Sequence, residues 1–156
     1  MADSFKVERS ITVQAPAQSI YNEIADFHNW TGWSPWEDLD PNLSRTYSGA
    51  ASGEGAVYNW SGNRRAGEGR MEITEVAEPT KVQVALDFLK PFKSSSVTTF
   101  ALQPEGDSTH VTWTMTGAKT LATRLMGLFT SMDKMIGPDF EKGLARLKAV
   151  AEKSST

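Results

Sequence analysis

The chain has 156 residues, the length of one ordinary domain, with a formal net charge of −3 and no cysteine. That length can bury a core without covalent staples, and the missing cysteine excludes disulfides, thiolate zinc sites and thiol nucleophiles. The negative balance argues against nucleic acid, and with no apolar leader and no run approaching ~20 apolar residues the expectation is a cytoplasmic, non-membrane-spanning single domain over 1–156.

In chain order, Phe5, Val7, Ile11 and Val13 alternate with polar neighbours as a half-buried strand does, and Arg9 alone breaks the alternation. Pro16 suits the first turn of a short helix whose apolar positions Ile20, Ile24 and Phe27 recur at helical spacing. The stretch from Asn29 to Trp36 holds Gly32 and Pro35 and runs on to Pro41, so a second short helix or a turn is expected there. From Leu43 to Gly117 the rhythm has period two and is punctuated by turn residues, which predicts a β-meander with strands near 43–48, 55–61, 67–77, 81–88, 94–103 and 109–117. Alternation places Tyr58, Trp60, Met71, Ile73, Val82, Val84, Leu86, Phe88, Thr98, Phe100, Leu102, Val111, Trp113 and Met115 on one apolar face. Glu68, Arg70, Glu72, Gln83, Thr112 and Thr114 fall on the opposite, wet face.

After Gly117 the apolar spacing changes to three and four, through Leu121, Leu125, Leu128, Phe129, Met132, Met135, Ile136, Phe140, Leu144, Leu147 and Ala151. This is a long C-terminal helical region. Gly137 and Pro138 predict a break or kink within it, leaving Asp139 and Glu141 near the start of the final helix, and residues 152–156 read as a frayed tail.

Five tryptophans and six methionines are many for a chain of this size. Indole is large and carries an N–H that needs a partner when buried, while thioethers repack around apolar ligands of differing shape. Two readings follow: a hollow binding domain walled by aromatics and Met, or a filled aromatic core. Catalytic signals are sparse. Arg64, Arg65 and Arg70 interleave with Glu68 and Glu72 as a solvated hairpin edge; His110 points outward; His28 has no partner carboxylate at a readable spacing. Ser34, Ser61 and Ser131 lack an activating base and a nucleophile elbow. Asp26 and Asp139 sit at expected helix ends, Asp87 faces solvent, and helical phase favours the neighbours of Asp133 for an inward role. No inward acid, base or Arg stands out in the strands, and no spacing implies a metal, nucleotide or other cofactor.

Val13 to Pro16 ahead of the first helix, Asp26 to Trp36, Gly53 to Trp60, Gly67 to Ile73, Val111 to Trp113 and Asp139 to Leu144 together carry a resemblance spanning nearly the whole chain. The chain resembles the polyketide cyclase/dehydrase branch of the START-related (SRPBCC) lipid-binding superfamily. The resemblance implies an α+β helix-grip fold: a curved antiparallel sheet of about seven strands wrapped around a long C-terminal helix, with two short helices after the first strand. It also implies a cavity between sheet and helix. The residues expected nearest to it are Trp33, Trp36, Tyr58, Trp60, Met71, Phe88, Trp113, Met115, Phe129, Met132, Met135 and Ile136.

The expected partner is a small hydrophobic or amphipathic molecule, lipid-like, polyketide or aromatic, held by apolar transfer at about 0.8 kcal/mol per buried methylene. A carrier or sensor is one reading. A cyclase or aromatase acting by folding its substrate is a second, with no catalytic constellation visible. A regulatory protein-interaction module is a third, for which 30–36 and the Pro91–Phe92 loop are the candidate exposed surfaces. Gly137, Pro138 and the 89–93 loop are the expected entrance.

Overall fold

A computed structural model describes residues 4–36, 40–64, 66–90, 93–118 and 132–154; the side chains of 4, 118, 132, 133, 135 and 154 lie outside that description. The chain begins with β1 (Ser4–Val13), α1 (Ala17–Ala25) and a 3-10 helix (Phe27–Gly32). The meander follows as β2 (Ser44–Gly49), β3 (Ala56–Ser61), β4 (Glu68–Ala77), β5 (Lys81–Lys90), β6 (Ser94–Glu105) and β7 (Ser108–Ala118), and α2 (Met132–Ser154) ends the chain. All seven strands form one antiparallel sheet in the order β1-β7-β6-β5-β4-β3-β2, so the first strand closes beside the last.

Short turns explain the meander, because antiparallel neighbours need only a hairpin between them. Register shifts at Glu68/Gly69 and Ile73/Glu75 bend β4 and curve the sheet around the elements on its inner side. This is the helix-grip architecture.

One face of the sheet is dry and the other wet, as the alternation predicts. Inner rows run across the strands: Val7, Met115, Thr98, Val84 and Ile73 in one, and Arg9, Trp113, Phe100 and Val82 in the next. Against them α2 packs Phe140, Leu144, Leu147 and Ala151, spaced four, three and four apart, and all four are buried. The helix lies chiefly against β1 and also touches α1.

Three expectations about the C-terminal region need correction. Helix α2 runs without interruption from Met132 to Ser154 with Pro138 inside it, so the expected break is absent and Asp139 and Glu141 lie in its interior. Proline removes one helix hydrogen bond, but the buried face continues on both sides of it, and that packing holds the helix together. Of the expected tail, residues 152–154 lie in α2 and Glu152 is held: it accepts the backbone N–H of Gln14 at 2.7 Å and pairs with Lys148, whose ammonium also reaches Thr12 O at 3.2 Å. The expected helical positions Leu121, Leu125, Leu128 and Phe129 lie outside the described residues.

Candidate functional site

The aromatic stretch after α1 folds inward. Trp30 is 3% exposed and Trp33 fully buried, so this run is core rather than an exposed docking surface. Short-range hydrogen bonds hold it there: Trp30 Nε1 donates to Ile24 O at 2.8 Å, and Trp33 Nε1 donates to Glu23 O at 3.2 Å. The two indoles reach the sheet together, Trp30 and Trp33 each meeting Phe100 edge-on and Trp33 meeting Trp113 at 5.7 Å. From the helix side, Phe140 stacks on Trp113 at 4.1 Å and 6°. Trp36 is half-buried, packs edge-on against Trp113 and Phe140, and donates Nε1 to Asp139 Oδ2 at 3.4 Å.

At this middle level the space between sheet and helix is therefore filled by rings. Gly143 shows how tightly: a Cβ there would stand 2.8 Å from Pro35 Cδ and 2.9 Å from Trp113 Cζ3. Of the expected lining residues, Trp33 and Trp113 belong to this filled column.

Beyond the buried row of Val7, Met115, Thr98, Val84 and Ile73, the next inner row is different. Phe5, Gly117, Ser96, Leu86, Met71, Tyr58 and Tyr47 pair successively across all seven strands. Its second and third positions, Gly117 and Ser96, are small and only partly buried, and the Phe5 ring stands over Gly117, where a Cβ would be 3.0 Å from Phe5 Cε2. Beyond it, Trp60 and Phe88 meet edge-on at 5.5 Å and are half-buried. Trp60 lies flat over β4 because residue 69 is glycine: a Cβ there would stand 2.3 Å from the indole. Its Nε1 donates to Ala66 O at 2.9 Å.

Tyr58, Met71 and Met115 are buried on the inner face near this row, and Ile136 is half-buried on α2. Met132 and Met135 are on α2 with side chains outside the described set, and Phe129 is outside it altogether. The structure thus groups Tyr58, Trp60, Met71 and Phe88 at one end of the sheet and Trp33, Trp36 and Trp113 in the packed middle. A shallow depression of about 170 Å³ opens around Ser44, Thr46, Asn59 and Ser61 and reaches Trp60, Glu68, Gly69 and Leu89. The side chains of Ser44, Thr46, Asn59 and Ser61 project to the wet face.

Two polar features escaped the sequence reading. Arg9 does point inward, since it pairs with Trp113 in register. Its Nε donates to Glu141 Oε2 at 2.8 Å, and its guanidinium occupies the space a side chain at Gly137 would need, with a Cβ there 2.2 Å from the terminal nitrogen. The break in the β1 alternation was the available signal. His28 also has a carboxylate partner, because Asp26 Oδ1 lies 2.9 Å from Nδ1 and accepts the His28 backbone N–H at 3.0 Å. The 3-10 turn that Asp26 caps creates this proximity. The imidazole stacks on Tyr47 at 3.9 Å, at the β2 edge of the row. Nearby, burial and then the Asp26 charge raise the Glu23 carboxyl above its ordinary value. Among the described residues no group of acids and histidines is arranged to hold a metal.

The model of the family described as polyketide cyclase/dehydrase and lipid transport matches residues 4–152. The chain belongs to this family. Solved structures share its fold at low identity. A protein from Thermus thermophilus superposes with a TM-score of 0.67 at 18% identity, covering 97% of this chain and 100% of its own. One from Nitrosospira multiformis gives 0.66 at 22%, over 93% and 94%. DynU16, from the dynemicin biosynthetic locus, gives 0.62 at 15%; the match covers 96% of this chain and 48% of DynU16. Among curated proteins there is no match to the sequence. At these identities the likeness establishes the fold, and function must be argued from the site.

Proposed function

We propose that the protein binds a small hydrophobic or amphipathic molecule between the inner face of the sheet and the C-terminal helical region, as a carrier or sensor. The observation that carries this reading is the inner row that includes the small, partly buried Ser96 and Gly117, together with the half-buried Trp60 and Phe88 beyond it. Ser96 is small and partly bare in this apolar wall, with the Phe5 ring over Gly117 beside it, and aromatic faces left partly bare are suited to an apolar guest. The family's link to lipid transport agrees with it. Residues Tyr58, Trp60, Met71, Phe88 and Met115 are the proposed wall, and Phe129, Met132, Met135 and Ile136 the proposed helical side. Trp33, Trp36 and Trp113 close the far end.

The test is titration with 1-anilinonaphthalene-8-sulfonate, together with native mass spectrometry of molecules carried through purification. Stoichiometric probe binding with quenched tryptophan emission is expected. Unchanged emission and an unchanged thermal midpoint at saturating probe would sink the reading.

A second reading, a ring-closing enzyme, draws on the Asp26–His28 pair at the β2 edge and on the raised Glu23 carboxyl. A carboxylate that fixes Nδ1 leaves Nε2 to take a proton. Under the binding reading, His28→Ala leaves probe affinity unchanged; under the enzyme reading it abolishes turnover of a poly-ketone substrate that the wild type cyclises.

A further inference from the structure

Every indole N–H but one has a protein acceptor: Trp30, Trp33, Trp36 and Trp60 donate to Ile24 O, Glu23 O, Asp139 Oδ2 and Ala66 O. Trp113, 1% exposed, has no partner for its Nε1 among the described residues. Thr98, 4% exposed, likewise has an unpartnered Oγ1. Buried polar groups are nearly always hydrogen-bonded, so two orphans in one small domain call for an explanation.

Their placement supplies one. Thr98 pairs with Met115 on the neighbouring strand and Phe100 pairs with Trp113, so Thr98 and Trp113 are diagonal neighbours on the inner face, with backbones roughly 7–8 Å apart. Thr98 also lies two residues along β6 from the small, partly buried Ser96. Cζ3, on the six-membered edge of the Trp113 indole, faces Gly143, where a Cβ would stand 2.9 Å from it. The pyrrole N–H is on the opposite side of the ring system and so points away from Gly143.

We propose that Trp113 Nε1 and Thr98 Oγ1 form a polar subsite for an oxygen atom borne by an otherwise apolar ligand. The inference rests on the binding reading above and specifies the ligand's chemistry. Indole N–H only donates, so the atom facing it must be an acceptor; a threonine hydroxyl donates or accepts. The fitting class is a ketone, ester or alcohol, as opposed to a plain hydrocarbon.

The experiment uses matched probes on the full chain: 9-fluorenone with fluorene, and 2-undecanone with undecane, by equilibrium dialysis. Each ketone-to-hydrocarbon affinity ratio is compared between wild type, Thr98→Val and Trp113→Phe, which cancels the probes' different hydration. The ratio is expected to fall about tenfold in either variant, in line with loss of one neutral hydrogen bond. The carbonyl stretch of bound fluorenone should move to higher frequency as the bond is lost. Without ligand, Thr98→Val should melt at or above the wild-type temperature, because it removes an unpaired buried hydroxyl. If all four probes bind and the ratios are the same in all three proteins, the polar subsite is wrong and the binding reading stands. If no probe binds the wild type, both are wrong. A lowered melting temperature for ligand-free Thr98→Val would show that the hydroxyl serves a structural water or the fold itself, which also overturns the proposal. Thr98→Val decides the matter alone if Trp113→Phe does not fold.

Discussion

Trp113 shows how one side chain serves packing and, in the proposed site, recognition. Its ring is buried against Trp33, Phe100 and Phe140, so Trp113→Ala should cost about 3–5 kcal/mol in urea unfolding, the range for truncating a packed aromatic. Trp60 is half-buried beside Phe88, and Trp60→Ala should cost distinctly less while, in the proposed site, weakening probe binding more. Equal costs would mean that both ends of the inner face are filled core. Two carboxylates at this scale titrate in opposite senses. The Lys148 ammonium, with help from the Gln14 N–H, holds the Glu152 carboxyl below its ordinary value of 4.5. Its stabilising contribution is therefore present above that value and lost as pH falls through the folded pKa. Glu152→Gln should be less stable than wild type at pH ~7, with the gap closing in acid below the ordinary value. Glu23 is displaced upward by burial, and the native state bears the cost of its charge once pH exceeds the folded value. Glu23→Gln should raise stability at neutral pH, with the gain fading as pH falls toward 4.5. Parallel pH profiles for both variants and the wild type would contradict these assignments.

Helix α2 is the element on which sequence and structure disagree most instructively. Gly137-Pro138 looks like a hinge in one dimension. In three, Gly137 makes room for the Arg9 guanidinium, which bridges β1 to Glu141 one turn further along the helix. The same helix needs Gly143 for a different reason, contact with the rings of Pro35 and Trp113. Replacement by alanine should separate the two. Ala gains about 1 kcal/mol of helix propensity over Gly. At residue 137 the displaced group is the tip of a flexible side chain, so that gain is roughly offset by the disturbed ion pair. At residue 143 both neighbours are rigid rings, and Gly143→Ala should be destabilising by about 1–3 kcal/mol. Since the helix already continues through Pro138, which is exposed, Pro138→Ala should raise stability by up to about 3 kcal/mol. A lower melting temperature for that variant would show that the proline shapes the helix for packing.

For the whole molecule, the β-meander, the half-buried first strand, the short helix opening after Pro16 and the dry inner face were legible in the sequence. Period-two and period-3.6 patterns are imposed by local geometry and turn chemistry, and those are written residue by residue along the chain. The family was legible for a related reason, since the segments that carry the resemblance, Asp26 to Trp36, Gly53 to Trp60 and Gly67 to Ile73 among them, are each continuous in the sequence. What remained hidden depends on neighbours far apart in the chain. The inward Arg9 is tolerated because Glu141 and Gly137 meet it 132 and 128 residues later. The Asp26 partner of His28 needed the geometry of a 3-10 turn, which residue spacing does not specify. Continuity of α2 through its proline was decided by the face it buries, and tertiary packing outweighs local propensity there. The distinction between a tryptophan that is fully buried and one that is half-buried followed the same rule. Composition and alternation place all such residues on the inner face, but only the packing of helix against curved sheet determines which indoles are enclosed by other rings and which N–H is left without a partner.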